Sequence, residues 1–262
     1  MNERLEGPVF VIHLERSRDR YAVAEEQLKH AGYTDIRLFE GVDGEDPHAL
    51  NKALDLFQNP PIDCNIRKGE LGCLLSHMKL FKHIIDHKIK LTHIFEDDIL
   101  FHPEWNTLCH YYYALTPPDY DIIFMGNRLE SCSTNHSNTE IITTEPVYCT
   151  HAYMITLEGA RKLLEDILRW EYWRYYNGQT KFTGLGPIDM MIYKIQTNYL
   201  KKKKHPWIGY SWNGTKYPCD YNRLPLTHAT CKNSGLVFQN SEMKSLIVSS
   251  EKYIPIPKTL SS

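Results

Sequence analysis

THIFEDDILF, residues 92–101, is the stretch on which the reading of this chain turns. An apolar run containing β-branched Thr92 and Ile94 delivers three consecutive carboxylates, Glu96, Asp97 and Asp98, and then turns apolar again. The run has the length and composition of a buried strand. Adjacent carboxylates repel, and burying a charge is costly unless it is paired or coordinates a cation. The triplet therefore belongs at a strand end that faces water or holds a metal ion. From three carboxylates alone, an acidic helix start with Asp98 as cap is the commoner arrangement, so the flanking elements have to decide.

Upstream, PVFVIHL (8–14) reads as a buried strand, and a helix follows from Ser17 as N-cap through Tyr21, Ala24, Leu28 and Ala31, with Gly32 at C′. DIRLFEGVDG (35–44) is a second strand ending in a loop, so the chain opens as strand, helix, strand, the start of a parallel α/β sheet. Residues 45–68 end irregularly at Asn59-Pro60-Pro61. In GELGCLLSHMKLFKHIIDHK (69–88), apolar residues from Leu71 to Ile85 recur at three- and four-residue steps, which predicts an amphipathic helix with Ser76 and His77 off its main apolar face. DYDIIFMGN (119–127) and VYCTHAYMIT (147–156) read as strands, and EGARKLLEDILRW (158–170) as a helix capped by Thr156. TGLGPID (183–189) is a glycine-rich turn opening a further helix, with Pro187 near N1. Helices and strands alternate, so the fold class is α/β. One domain over 1–250 is expected, with a first half of about 1–127, a second half of about 128–250 and a tail at 251–262.

The totals narrow the function classes. Apolar residues make up 42% of 262 and charged residues 24%, values that support one large core. A net charge of −2 argues against a nucleic-acid partner. No apolar stretch is long enough for a transmembrane helix. The start, MNERLEGPVFVIHL, is too charged for a signal peptide, and Cys64, Cys73, Cys109, Cys132, Cys149, Cys219 and Cys231 include no C-x-x-C pair. The expectation is a cytoplasmic protein with free thiols, of a bacterium or a virus; Cys219 and Cys231 are a pair only in an oxidising compartment. The sequons at Asn135 and Asn213 matter only in a secretory lumen, and Lys201–Lys204 reads as a solvated basic loop.

A carboxylate cluster at a strand end suits Mg²⁺ or Mn²⁺, which are held by one or two carboxylates plus substrate phosphates. Such an ion makes a diphosphate a better leaving group. His13 and Leu14 follow the first strand, where a base and ribose would lie, and Arg16 and Arg20 are placed to reach that region. Asp43 is either a hydrogen-bond acceptor for the nucleoside or a turn residue. Ser76 and His77 either contact a ligand bound there or pack on the strand that ends at Glu96. Asn127, after another strand, is placed to line a ligand at the same strand ends. Asp189, in the first turn of a helix whose dipole favours an ionised carboxylate, is the candidate general base; a plain helix-start aspartate is the alternative.

Five segments, in order, resemble glycosyltransferase family 25: VIHLERSRDR (11–20), FEGVDG (39–44), GELGCLLSH (69–77), IFEDD (94–98), and HAYMITLEGARKLL (151–164) followed by PID (187–189). The resemblance covers roughly residues 9–195. It implies a GT-A fold with a Rossmann-like mixed sheet flanked by helices, and inverting transfer from a UDP-sugar. Glu96 and Asp98 then map onto a DxD motif holding Mn²⁺, Asp97 reaches the ribose or sugar, and Asp189 serves as base. A third metal ligand is often a later histidine; His205 and His228 stand in the right region, though either suits a surface position. The resemblance implies galactose as donor sugar, without excluding glucose or N-acetylglucosamine, and a glycan or hydroxylysine of a collagen-like protein as acceptor. Two rivals remain: an inactive nucleotide-sugar or glycan-binding protein, against which the intact triplet and Asp189 argue, and a metal-dependent phosphohydrolase, which lacks a convincing further ligand set. Oligomeric state is not legible.

Overall fold

A computed structural model describes residues 6–63, 65–129, 140–143, 147–169, 184–193, 195, 209–212 and 233–240. β1 (Val9–His13) leads through a 3-10 turn (Glu15–Ser17) and α1 (Arg18–His30) to β2 (Ile36–Glu40). α2 (Pro47–Leu56) and α3 (Lys68–Asp86) precede β3 (Leu91–Glu96), β4 (Ile99–Phe101) and α4 (Trp105–Leu115). β5 (Ile122–Leu129), β6 (Ile141–Thr143), β7 (Val147–Thr156), α5 (Leu157–Leu168), β8 (Gly209–Trp212), β9 (Asn233–Gly235) and β10 (Val237–Gln239) follow. The main sheet runs β2-β1-β3-β7-β5-β8-β6, with β9 on β5, while β10 and β4 form a separate antiparallel pair.

β1 is parallel to both β2 and β3, as the helical crossovers require. β7 then enters antiparallel between β3 and β5, so the sheet is mixed. Because β1 lies between β2 and β3, the chain leaves it to opposite sides, and a crevice opens at the carboxyl ends of β1 and β3. The register sets His13 beside Glu40 and Ile12 beside Glu96, which brings the end of the acidic strand to that crevice.

Both sheet faces are covered, which is why the central strands read as unbroken apolar runs. Phe10, Ile12, Ile94, Ile122, Phe124, Tyr153 and Ile155 join a core with α2, α3 and α5. Val9, Val11, Phe95, Ile123, Met125, Ala152 and Met154 join another with α1 and α4. α3 is boxed in by α2, α5 and the sheet, so Ser76 and His77 are buried along with its apolar stripe, as the packing alternative has it. At about 1.5–3 kcal/mol for each fully buried large apolar side chain, packing rather than propensity fixes this helix. Among the described residues, no helix is long and apolar enough to cross a membrane.

Two caps differ from one another. Thr156 accepts from Gly159 N (3.0 Å), as its position predicts. Ser17 caps nothing with its side chain, because the preceding 3-10 turn already ties its amide to Leu14 O (2.8 Å) and takes it out of extended geometry. Gly32 ends α1 at φ 90°. α2 was not foreseen, although Asp46 accepts from His48 N (2.8 Å) and Pro47 begins the helix.

Gly72 lets α3 touch the loop after β2. An added Cβ would sit 2.5 Å from Val42 O and 2.8 Å from Gly44 N. Overpacking against backbone costs about 1–3 kcal/mol, more than the ~1 kcal/mol that alanine gains in helix propensity. Gly72→Ala is therefore expected to lower the urea midpoint without changing the slope; an unchanged or raised midpoint would contradict this packing.

Candidate functional site

The acidic triplet sits in a pocket that opens to solvent. His13, Leu14, Arg16, Arg20, Asp43, Ser76, His77, Glu96, Asp97 and Asp98 all line it, joined by Gly44, Cys73 and Gln239. The pocket thus gathers the ends of β1 and β3, the loop after β2 and the inner face of α3.

Charge repulsion within the triplet is met by named partners. Arg20 Nη2 lies 2.5 Å from Asp97 Oδ1 and 3.1 Å from Asp98 Oδ2. His13 Nδ1 is 3.4 Å from Asp97 Oδ2. Arg20, expected at the nucleotide, thus also neutralises the carboxylates. Glu96 accepts from the Thr150 hydroxyl (3.1 Å), and its Oε1 lies 3.5 Å from His77 Nε2.

The three carboxyls respond differently. Burial would raise Glu96, but His77, His151 and Thr150 carry it below its ordinary value. Asp97 is raised by burial against the pull of Arg20. Asp98 is raised to about 7, by burial first and then by Glu96, with Arg20 opposing. Its Oδ1 is buried with no hydrogen-bond partner among the described residues, an expensive state for a carboxylate and one that a cation would relieve.

The flanking candidates have clear anchors. Arg16 Nε donates to Asp43 Oδ2 (2.6 Å), while Asp43 Oδ1 accepts from Glu45 N (2.9 Å), so Asp43 both shapes the turn and fixes an arginine at the pocket rim. Ser76 Oγ accepts from Val42 N (2.7 Å) and donates to Gly72 O (2.7 Å), pinning that same loop to α3. Glu70 accepts from Arg67 N (2.9 Å) and closes the start of the helix. Asn127 is fully buried, with Nδ2 donating to Trp212 O (3.1 Å), and is not among the residues lining the pocket.

Asp189 follows a segment pinned to 61–63, where Leu185 N donates to Pro61 O (2.7 Å) and Asp63 N to Leu185 O (3.0 Å). It is half-buried in the short helix at 188–193, and its Oδ1 accepts from Met190 N (2.7 Å). Burial raises its pKa; the amides of Met190 and Cys149 oppose this, and Glu96 and Glu70 add to it. Helix position alone predicts the opposite direction, and burial wins. Cys149 holds its amide near Asp189 from a left-handed backbone, φ 73°, in a region costing an L-residue roughly 1–2 kcal/mol. The β5–β7 register is irregular beside it. Cys73, Thr150, Tyr153 and Cys149 were not read as site residues; Cys73 alone had a signal, standing four residues before His77 on a helix. His205, His228, Cys219, Cys231, Asn135, Asn213 and Lys201–Lys204 lie outside the described residues.

The Asp98 shift fixes a sign. Between the ordinary aspartate value of 3.8 and about 7, the folded chain binds more protons here than the unfolded chain, so this group's contribution to stability falls as pH rises through that window. In EDTA, wild type should gain stability relative to Asp98→Asn as pH drops from about 8 to about 5 in urea unfolding. A pH-independent difference between the two would show that Asp98 is not held protonated.

The sequence profile described as "Glycosyltransferase family 25 (LPS biosynthesis protein)" matches residues 7–177. Human procollagen galactosyltransferase 2 is 28% identical over 177 residues, covering 60% of this chain and 27% of its own length. Xenopus laevis procollagen galactosyltransferase 1-B is 28% identical over 173 residues, covering 60% and 28%. The Bos taurus "probable inactive glycosyltransferase 25 family member 3" is 30% identical over 174 residues, covering 60% and 28%. The chain thus spans little more than a quarter of the length of these relatives. A solved glycosyltransferase involved in glycosylation of the major capsid of PBCV-1 shares 8% identity at a TM-score of 0.34, over 63% of this chain and 68% of its own. With the profile matching most of the chain, through the segments that build the pocket, this protein belongs to glycosyltransferase family 25.

Proposed function

We propose that the pocket binds a UDP-sugar and that the chain transfers the sugar, galactose first among the candidates, to a hydroxyl with inversion. The observation that carries the reading is the orphaned, buried Asp98 Oδ1 beside Glu96, at the strand-end crevice of a family 25 chain. An oxygen-only pair of this kind fits Mn²⁺ or Mg²⁺, with Glu96 and Asp98 as the holding residues. A bound cation there would supply Lewis-acid neutralisation of the diphosphate leaving group.

The remaining roles belong to the chain's own groups. His13 and Leu14 border the nucleoside side of the pocket, and the Arg16–Asp43 pair presents a positioned guanidinium at its rim. Arg20 pulls the Asp97 carboxyl back toward its charged form against burial, and Asp97 is placed to accept from a ribose or sugar hydroxyl. Asp189 takes the acceptor hydroxyl proton on its carboxylate as the acceptor oxygen bonds to the anomeric carbon and the bond to UDP breaks. A carboxyl raised by burial is a better base than an exposed one, because its pKa moves toward working pH. Residues 128–250 would supply the acceptor side, and the printed names of the relatives favour galactose and a collagen-like acceptor, with a bacterial-type glycan as the other candidate.

UDP release from a panel of UDP-sugars, in Mn²⁺ and in EDTA, tests this. Slow release from one UDP-sugar, accelerated by acceptor and lost in EDTA, is expected. Asp189→Asn should lower turnover by about 10²–10⁴-fold with little change in donor binding, the usual weight of a general base. UDP binding without release would favour an inactive nucleotide-sugar-binding protein; the Bos taurus relative is itself named as probably inactive. Fast, acceptor-independent and sugar-blind release would mean a hydrolase.

A further inference from the structure

α3 carries Cys73 and His77 four residues apart, so their side chains project from one face of the helix, one above the other. β3 ends opposite them at Glu96. The Cys73 sulfur, an imidazole nitrogen of His77 and a carboxylate oxygen of Glu96 all lie within 4.8 Å of one another. This cluster borders the donor pocket, yet the mechanism above gives neither Cys73 nor His77 a task.

His77 is the informative member. Its side chain is 0% exposed. Nδ1 meets the Tyr153 hydroxyl at 2.8 Å, which fixes the ring. Nε2 points toward Glu96 Oε1 at 3.5 Å and, among the described residues, has no hydrogen-bond partner. Glu96 faces that nitrogen only at the long end of hydrogen-bond range, so most of the strength of a buried bond is forgone. A histidine with one nitrogen clamped by a hydroxyl and the other held only by a long contact to a carboxylate, beside a thiol, has the arrangement of a metal ligand held by its outer-shell partner.

We propose that Cys73, His77 and Glu96 form a site for a thiophilic divalent cation, with Zn²⁺ the expected occupant. One sulfur, one nitrogen and one oxygen leave a fourth, open position toward the pocket, a ligand count familiar from zinc sites. Zinc bonds of about 2.0–2.3 Å put tetrahedral ligands ~3.5 Å apart, so the three atoms need to close by roughly 1 Å. The thiolate separates this site from the oxygen-only pair: sulfur selects Zn²⁺ over Mn²⁺ and Mg²⁺. In the free protein, burial and then Glu96, Asp189 and Asp98 keep Cys73 a neutral thiol. Binding forms the Zn–S bond and releases the thiol proton to solvent. Because Glu96 belongs to both sets, Zn²⁺ here removes a carboxylate from the donor-side pair and inhibits sugar transfer; this last consequence rests on the proposed function, whereas binding does not.

The test uses the full chain and needs no turnover. Co²⁺ added to wild type should give a thiolate-to-cobalt charge-transfer band that Zn²⁺ abolishes and that Cys73→Ser lacks, with far-ultraviolet circular dichroism confirming that the variant folds. In wild type alone, peptide mass spectrometry after iodoacetamide should show Cys73 alkylation slowed about a hundredfold at Zn²⁺ a hundred times its dissociation constant. No band, a band unchanged in Cys73→Ser, or equal alkylation of Cys73 with and without Zn²⁺ would overturn the proposal. Loss of Mn²⁺-dependent activity with these signals intact would instead count against the function proposed above.

Discussion

Two like charges side by side at the end of a buried strand set the problem that this molecule is built around. Asp97 and Asp98 are largely shielded from water, and Glu96 is next to them. Arg20, carried by α1, bridges the two aspartates, and His13 at the end of β1 meets Asp97. Removing one partner of a buried pair typically costs 3–5 kcal/mol, because the survivor is left uncompensated. Against a net stability of about 5–15 kcal/mol for a domain, that is a large fraction. The parallel β1–β3 pairing, the placement of α1 and the carboxylate chemistry are therefore one constraint. Shifting the β1–β3 register by one residue would separate Ile12 from Glu96 and move His13 to the other face.

This pairing also explains why the site is incomplete by itself. Arg20 supplies one positive charge to two aspartates, and Asp98 is still held near neutrality with one oxygen bare. A structural ion-pair network would be expected to satisfy that oxygen. Leaving it open, at a pocket mouth, is the kind of local cost that functional sites carry. Asp189, raised by burial, and Cys149, bent into a left-handed backbone beside it, add two further local costs on the same side of the molecule.

Much of this was legible in the residues. The steps from Leu71 to Ile85 gave α3, and VYCTHAYMIT gave β7 to the residue, because long periodic or β-branched runs record their burial directly. Ten of the candidate residues do line one pocket, because the motifs that carry them sit at strand ends or on the helices packed beside those ends. What failed has physical reasons. β4 and β10 are three residues each, too short for a pattern, and exist through pairing across the chain. α4, rich in tyrosine, has no clean periodicity. For Ser76 and His77 the residues left contact with a ligand and packing on β3 both open, and the two are buried off the apolar stripe, since a helix covered on several sides buries polar positions too. The Asp189 shift was read with the wrong sign, as a helix dipole can be read from sequence and desolvation cannot.

The central claim is that the Asp98 carboxylate, with Glu96, joins a nucleoside diphosphate to this pocket through a divalent cation. Calorimetric titration of UDP into wild type and Asp98→Asn, each in Mn²⁺ and in EDTA, addresses it directly. The account predicts tight UDP binding only for wild type in Mn²⁺, with EDTA and the substitution each weakening it about as much as both together. UDP binding of equal strength in all four conditions would contradict it.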